Sequence, residues 1–347
     1  MPSSIIIDRH SEYLEKLSQL KLPATSNGWK VLDLFAGCGG LSLGFESAGF
    51  DVTGYEMNPK YVATYNKNLR GECFEQRISE DVAFEGRVDV IVGGPPCQPY
   101  SETGAGFAKG KNKKKSFKGS KDERDGFPAF ISYVKKLKPK LFIAENVRGL
   151  KFKRNEKYLN SLIKKFEKLG YNVNCTVIRM SNFEVPQNRE RLFVIGHDGT
   201  FNLPEPSDSQ FTVRDALGEL ACEAPTDGRY LSKSEDEYIS RYEEKCQLKN
   251  PRDLHLDIPS RTLTCRNLAG STADMIRLKM NDGRRRKIRV KEASRIQGFP
   301  DWFEFNENQA TAFNEIGQSV PPLFAKQLAS SVLDYLENMS AGGAMDE

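Results

Sequence analysis

In GGPPCQPYS (93–101), Cys97 follows two prolines and is separated by one residue from a third. The run before it, VDVIVGG, reads as a buried strand ending in glycines. The cysteine therefore lies past the strand's end, where open α/β sheets build their sites. Two roles fit. Cys97 is either a thiolate nucleophile on a rigid tether or a small loop residue whose prolines shape a turn. A second group of residues suits ligand binding. DLFAGCGG (33–40) places Gly37, Gly39 and Gly40 between a strand and a helix, where glycine permits a tight turn and close approach to the backbone. Glu56 ends the next strand, at a distance that lets a carboxylate take both hydroxyls of a ribose. Asp81, in SEDV, offers an acceptor to an adenine amino group. The glycines do not complete the dinucleotide spacing, and no GK[ST] follows them. An adenosine-bearing ligand without a pyrophosphate fits best, with S-adenosylmethionine the natural candidate.

These residues need a scaffold that brings strand ends together. Residues 30–59 read as strand, glycine turn, helix and strand, the opening of a doubly wound sheet. Further strands are predicted at 88–92, 140–145, 173–179 and 191–196, and helices at 59–69, 127–137 and 156–169. The alternation predicts an α/β fold with a mostly parallel sheet. Composition then becomes loop-rich, which predicts a smaller second domain. The expected organisation is an N-terminal helical extension and linker (1–28), a first catalytic part (29–198), a second domain (199–282), a return to the first domain (283–340) and a tail (341–347).

The bulk composition narrows the classes. The chain has 347 residues and a formal net charge of +4. No apolar run approaches the roughly 18 residues of a membrane span, and the N-terminus lacks the pattern of a signal peptide. A cytoplasmic protein is expected. Seven cysteines, none in a CxxC, and three scattered histidines argue against a disulfide framework and a metal site. Positive charge gathers in KGKNKKKSFKGSKDER (109–124) and GRRRKIRVK (283–291). Such runs are usually solvated, but two in one chain favour a polyanionic partner.

Six segments, in order, resemble the cytosine-C5 DNA methyltransferases: DLFAGCGGLSLGFESAGF, GGPPCQPYS, ENVRGL, QNRERLFVIG, RIQGFP and IGQSVPP. The resemblance spans about residues 30–335, with 199–282 as the variable insert. It implies a Rossmann-like S-adenosylmethionine fold with a target-recognition domain. It also implies methyl transfer to a cytosine flipped out of duplex DNA, with S-adenosyl-L-homocysteine as product. Cys97 becomes the nucleophile at C6, Pro96 sets its direction, and Glu145 is the acid at N3, with Asn146 ordering its turn. Arg189 and Arg191 support the base and its phosphate. Phe35 and Met57 flank the adenine, and Ala36 joins the glycine turn. The final motif carries Gln318 where the family has asparagine, so Ser319 is the favoured cofactor contact there. For DNA the resemblance and the basic runs point to Gln98, Ser101, Lys113, Lys114, Lys115 and Arg124 near the nucleophile. They also point to Arg261, Arg266 and Asn267 in SRTLTCRNLAGSTAD, and to Arg284 and Arg285. A monomer is expected, as in a bacterial restriction–modification system with a separate endonuclease. The rivals are the tRNA-methylating branch, whose Cys-Phe-Thr signature is not seen, and a catalytically idle binding protein.

Overall fold

The computed structural model describes residues 8–82, 84–96, 125–225, 230–247, 252–270 and 273–343. The chain divides into two compact units. One comprises residues 22–179, 190–204 and 325–347. The other comprises 1–21, 180–189 and 205–324.

The first unit is built on seven strands: β1 (Lys30–Leu34), β2 (Asp51–Glu56), β3 (Cys73–Glu75), β4 (Val90–Gly93), β5 (Leu141–Val147), β6 (Asn172–Arg179) and β7 (Glu190–His197). Their order is β3-β2-β1-β4-β5-β7-β6, and only β7 runs against its neighbours. The central strands are covered on both faces and so read as continuous apolar runs rather than as alternation. One exception is Asp33, inside KVLDL and 1% exposed.

Among the described residues, helices follow the strands at α1 (Gly40–Ser47), α2 (Pro59–Asn68), α3 (Phe127–Leu137) and α4 (Glu156–Glu167). Asn58 caps α2 by accepting from the Lys60 N–H, and Pro59 takes the first position, where no N–H is needed. The core on one face joins Phe127, Phe130 and Tyr133 of α3 and Leu162 and Phe166 of α4 to Leu32, Leu34, Ile91, Phe142 and Leu192 of the strands. The helix Pro322–Gly343 packs so closely on α1 that a Cβ on Gly44 would lie 2.4 Å from the Ala325 Cβ.

The second unit holds short elements. The strand Gln187–Asn188 pairs in parallel with Ser260–Arg261, and Arg277–Lys279 pairs antiparallel with Arg285–Lys287. The helix Lys233–Lys245 begins at a capping box of Ser232 and Glu235. Residues 283–324, expected to rejoin the sheet domain, cluster instead with 205–282. The hairpin across 277–287 and the bonds that buried Arg286 donates to the Glu223 and Leu220 carbonyls tie this segment to the chain before it. The N-terminal helix Arg9–Ser18 belongs here too: the Tyr13 hydroxyl donates to the Arg295 carbonyl, and His10 bonds the Asp215 carbonyl.

The α1 contact gives the first test. Gly44→Val forces the two helices apart and is expected to cost about 1–3 kcal/mol, seen as a fall in Tm of several degrees. An unchanged melting curve contradicts this packing.

Candidate active site

The ligand-binding edge lies at the ends of β1 and β2. After Leu34 the backbone turns sharply, and Phe35, Gly37 and Gly39 all have positive φ (63°, 59° and 93°). For phenylalanine that conformation is strained by about 1 kcal/mol or more, and such strain collects at binding sites. The two glycines differ in what surrounds them. A Cβ on Gly39 would lie 2.5 Å from Leu69 and 2.8 Å from Tyr65, whereas one on Gly37 would meet nothing within 4 Å. The turn is packed on one side and open on the other.

Glu56 sits at this opening, 9% exposed. One of its carboxylate oxygens accepts from the Gly37 N–H at 3.0 Å and the other from the Asn58 N–H at 2.8 Å. Each oxygen keeps a further lone pair for a ligand hydroxyl. Met57 beside it is 63% exposed, a large apolar side chain left in solvent. Ala36 donates its N–H to the Tyr55 carbonyl, and Gly40 opens α1. Asp81 is exposed on the loop after β3. An open backbone turn, a held carboxylate with spare acceptors and an exposed thioether fit an adenosine ligand.

Asp33 was not singled out from sequence. Its carboxylate accepts from the Ser42 hydroxyl at 2.6 Å, and burial pushes its pKa from 3.8 up to about 7. The nearby Glu56 charge adds to the rise. An acid inside an otherwise apolar strand next to a glycine turn was the signal available.

The second edge lies at the ends of β4 and β5. Gly93 is required there, since a Cβ would lie 2.1 Å from the Leu34 carbonyl oxygen. The chain then passes through Gly94, Pro95 and Pro96. Asn146 donates its side-chain N–H to the Pro95 carbonyl at 2.9 Å, and the Gly126 N–H donates to the Pro96 carbonyl at 2.9 Å. The two residues before Cys97 are thus each anchored by a hydrogen bond to the main-chain carbonyl.

Glu145, next to Asn146 on β5, points to the opposite side of the strand. It forms an ion pair with Arg191 of β7, Nε to Oε1 at 2.8 Å, with both side chains largely buried. Its second oxygen lies 3.3 Å from where a Cβ on Gly94 would stand. The carboxylate therefore stands directly beside the tether. Cys97, Gln98, Ser101, Lys113, Lys114, Lys115 and Arg124 lie outside the described residues.

The remaining expected residues fall in the second unit. Arg189 is 1% exposed and donates to the carbonyls of Leu263 at 2.8 Å and Gly317 at 3.2 Å. Its guanidinium is committed to main chain, which fits a scaffold role better than direct support of a base. Ser319 is half-buried and donates to the Glu315 carbonyl, while Gln318 is exposed.

Several expected DNA contacts are placed differently from expectation. Asn267 is 3% exposed. Its amide accepts from the Thr264 N–H and donates to the Thr262 carbonyl, forming a helix cap rather than a free base-reading edge. Arg261 is held by the carboxylate and carbonyl of Asp274. Arg285 pairs with Asp253 and Asp236. Arg286, of the same basic run, is fully buried in a two-pronged pair with Glu292. Arg266 is exposed, and so is Arg284, which stacks 3.6 Å over the Tyr230 ring. Among the described residues no group of acids, cysteines and histidines could hold a metal ion. None of their helices is long and apolar enough to cross a membrane.

A sheet with one reversed strand, a glycine turn after β1 and an acid ending β2 define a Rossmann-like methyltransferase fold. Residues 29–334 match the C-5 cytosine-specific DNA methylase family, and the chain belongs to it. The protein is a DNA cytosine methyltransferase. It is 46% identical over 330 residues to the Type II methyltransferase M.AplI of Arthrospira platensis, covering 94% of this chain and 92% of that relative. It is 32% identical to a Type II methyltransferase of Haemophilus parahaemolyticus, covering 88% and 87% of the two chains. Among solved structures, the S. pombe Dnmt2 methyltransferase shares the fold with a TM-score of 0.65 at 17% identity, covering 89% of this chain and 99% of that one. The Entamoeba histolytica methyltransferase EhMeth does so with a TM-score of 0.65 at 17% identity, covering 89% and 98%.

The buried Asp33 yields a pH prediction. Its folded pKa lies above its unfolded one, so the folded state holds the extra proton between about pH 4 and 7. Its contribution is fully present at the acidic end of that window and is lost as pH rises through about 7. Asp33→Asn, neutral throughout, should gain stability relative to the parent across that window. The gain is at most about 4 kcal/mol, at roughly 1.4 kcal/mol per pH unit. Urea titrations at pH 5 and pH 8 measure it. A difference between variant and parent that does not change with pH contradicts the assignment.

Proposed function

We propose that this methyltransferase acts on duplex DNA in a sequence-specific manner and modifies C5 of a cytosine rotated out of the stack. The observation that carries this reading is the Glu145 carboxylate, held by Arg191 beside the anchored Pro95–Pro96 tether. S-adenosylmethionine supplies an electrophilic methyl group when bound, and S-adenosylhomocysteine remains. Glu56 would hold its ribose hydroxyls, Phe35 and Met57 would cover the adenine, and Asp81 would accept from the adenine amino group. Ala36, Gly37, Gly39 and Gly40 would receive the methionine portion along the open turn, and Ser319 would add a contact.

Cytosine C5 is a weak nucleophile. Cys97, as thiolate, adds to C6, while Glu145 shares a proton with N3 and draws the electron pair toward the ring. The C5 carbon then attacks the methyl group. A base, for which water suffices, removes the C5 proton, the C5–C6 double bond re-forms and Cys97 departs as thiolate. Arg191 keeps Glu145 oriented and contacts the base. Arg189 holds the neighbouring loops. Because attack comes from above the ring, the base must leave the stack at a cost of a few kcal/mol. Phosphate contacts by Ser101, Lys113, Lys114, Lys115 and Arg124 offset that cost, with Gln98 next to the base.

Residues 199–282 form the target-recognition region in this reading, with Arg266 an exposed cation within it and Arg284 another just beyond it. The Type II names of the relatives support a role in modification. In this reading a separate endonuclease accompanies the enzyme, which acts as a cytoplasmic monomer.

Two tests follow. Duplex carrying 5-fluorocytosine at the target should trap the parent protein covalently, because the C5 fluorine cannot leave as a cation. Cys97→Ser should not be trapped but should still bind DNA, since a hydroxyl is too weakly acidic to add unaided. Turnover retained in the serine variant sinks the nucleophile. Replacing Lys113, Lys114 and Lys115 with glutamine should weaken binding to all sequences alike. It should also flatten the dependence of log K on log salt by up to about 0.9 per lost phosphate contact. An unchanged slope removes these lysines from the DNA clamp.

A further inference from the structure

Four separate segments of the second unit meet through buried amides. Gln187 is fully buried; its side-chain oxygen accepts from the Leu263 N–H at 2.9 Å, and its side-chain nitrogen donates to the Gln297 oxygen at 2.7 Å. Gln297, also fully buried, donates its own side-chain nitrogen to the Ser319 carbonyl at 2.6 Å. Arg189, two residues after Gln187, completes the hold by donating to the Leu263 and Gly317 carbonyls. Leu263 thus has both main-chain groups bound by side chains, and the 317–319 turn is bound from the same cluster. The close approach is tight: a Cβ on Gly317 would lie 2.5 Å from the Cys265 nitrogen.

Two buried glutamines are a costly way to fill space, because an amide taken out of water without partners loses several kcal/mol. Apolar side chains of that volume would pack there without this penalty. What an amide chain adds is direction. Each member fixes its neighbour's distance and orientation, and a chain of such bonds is stiff and specific. Leu263 is flanked by Thr262 and Thr264, and Thr264 caps the short helix that carries the exposed Arg266.

We propose that Gln187 and Gln297 are positioning residues. The chain Leu263–Gln187–Gln297–Ser319 sets the 261–267 loop, which carries Arg266, in fixed register with the 317–319 turn. This rests on the reading above that places Arg266 against DNA and Ser319 against the methyl donor. Neither glutamine touches substrate. Each acts through the main chain it holds.

Two substitutions at Gln297 separate positioning from mere packing. Gln297→Met keeps the volume and removes both bonds. Gln297→Glu restores both bonds when its carboxyl is protonated, the C=O accepting from Gln187 and the O–H donating to Ser319. It loses the donor when ionised. Burial raises the pKa of an introduced carboxyl, which brings the change into an accessible pH range. At pH 8 both variants should show faster hydrogen exchange at the Leu263 amide than the parent. Both should also show an increase in the KM for duplex DNA of about tenfold, roughly one buried hydrogen bond. Turnover should change far less. On acidification to pH 6 the glutamate variant should return toward the parent in exchange and in KM, each compared with the parent at the same pH. The methionine variant should not. Leu263 exchange unaltered in Gln297→Met, or a glutamate variant whose deficit does not respond to pH, overturns the proposal. If the parent methylates no duplex DNA, the proposed function fails, and Leu263 exchange still decides whether the chain of amides transmits.

Discussion

The ion pair between Glu145 and Arg191 depends on the one reversed strand of the sheet. Because β7 runs antiparallel to β5, Arg191 stands opposite Val147 and reaches diagonally to Glu145. A parallel strand in that place would carry Arg191 to the other end of the sheet. A largely buried carboxylate left alone is expensive, and removing one partner of such a pair typically costs about 3–5 kcal/mol. The same strand end serves a second purpose. Side chains alternate along β5, so Glu145 faces Arg191 while Asn146 faces the Pro95 carbonyl. One strand terminus therefore holds the Glu145 carboxyl group and anchors the approach to Cys97.

The ligand-binding edge follows a different principle, one of backbone shape. Phe35 and two glycines adopt left-handed conformations in the turn, and the Gly37 N–H is brought to the Glu56 carboxylate. Burial keeps Asp33 largely neutral below about pH 7, so the acid beneath the turn adds little negative charge beside Glu56 there. The carboxylate offered to a ligand is then the one at the opening.

Much of this was legible from sequence for a physical reason. Parallel strands buried on both faces are long apolar runs, and their ends carry glycines and acids that have no packing role. Glu56 and the proline tether stood out in this way, whereas Glu145 came from the family resemblance. The reversal of β7 did not, because a doubly buried strand has the same pattern in either direction. The basic cluster 283–291 misled for another reason. Arg285 and Arg286 look like surface charge until their partners Asp253, Asp236 and Glu292 are seen in place. Asp253 and Asp236 lie 32 and 49 residues from Arg285, and pairing at such a separation leaves no local mark. Asn267 misled in the same way, since an amide suited to an adenine edge is equally suited to a helix cap. The buried glutamines of QNRER and RIQGFP were seen only as parts of motifs, and their joint role required the distances between them.

In the proposed reaction this strand-end arrangement directs a methyl group to carbon 5 of cytosine in DNA. Bisulfite sequencing of DNA from cells expressing the chain tests this most directly. The account predicts protected cytosines at one position within a single short recurring sequence, absent from cells expressing Glu145→Ala at equal protein levels. Cytosines fully converted in both samples, or protection that persists without Glu145, would contradict it.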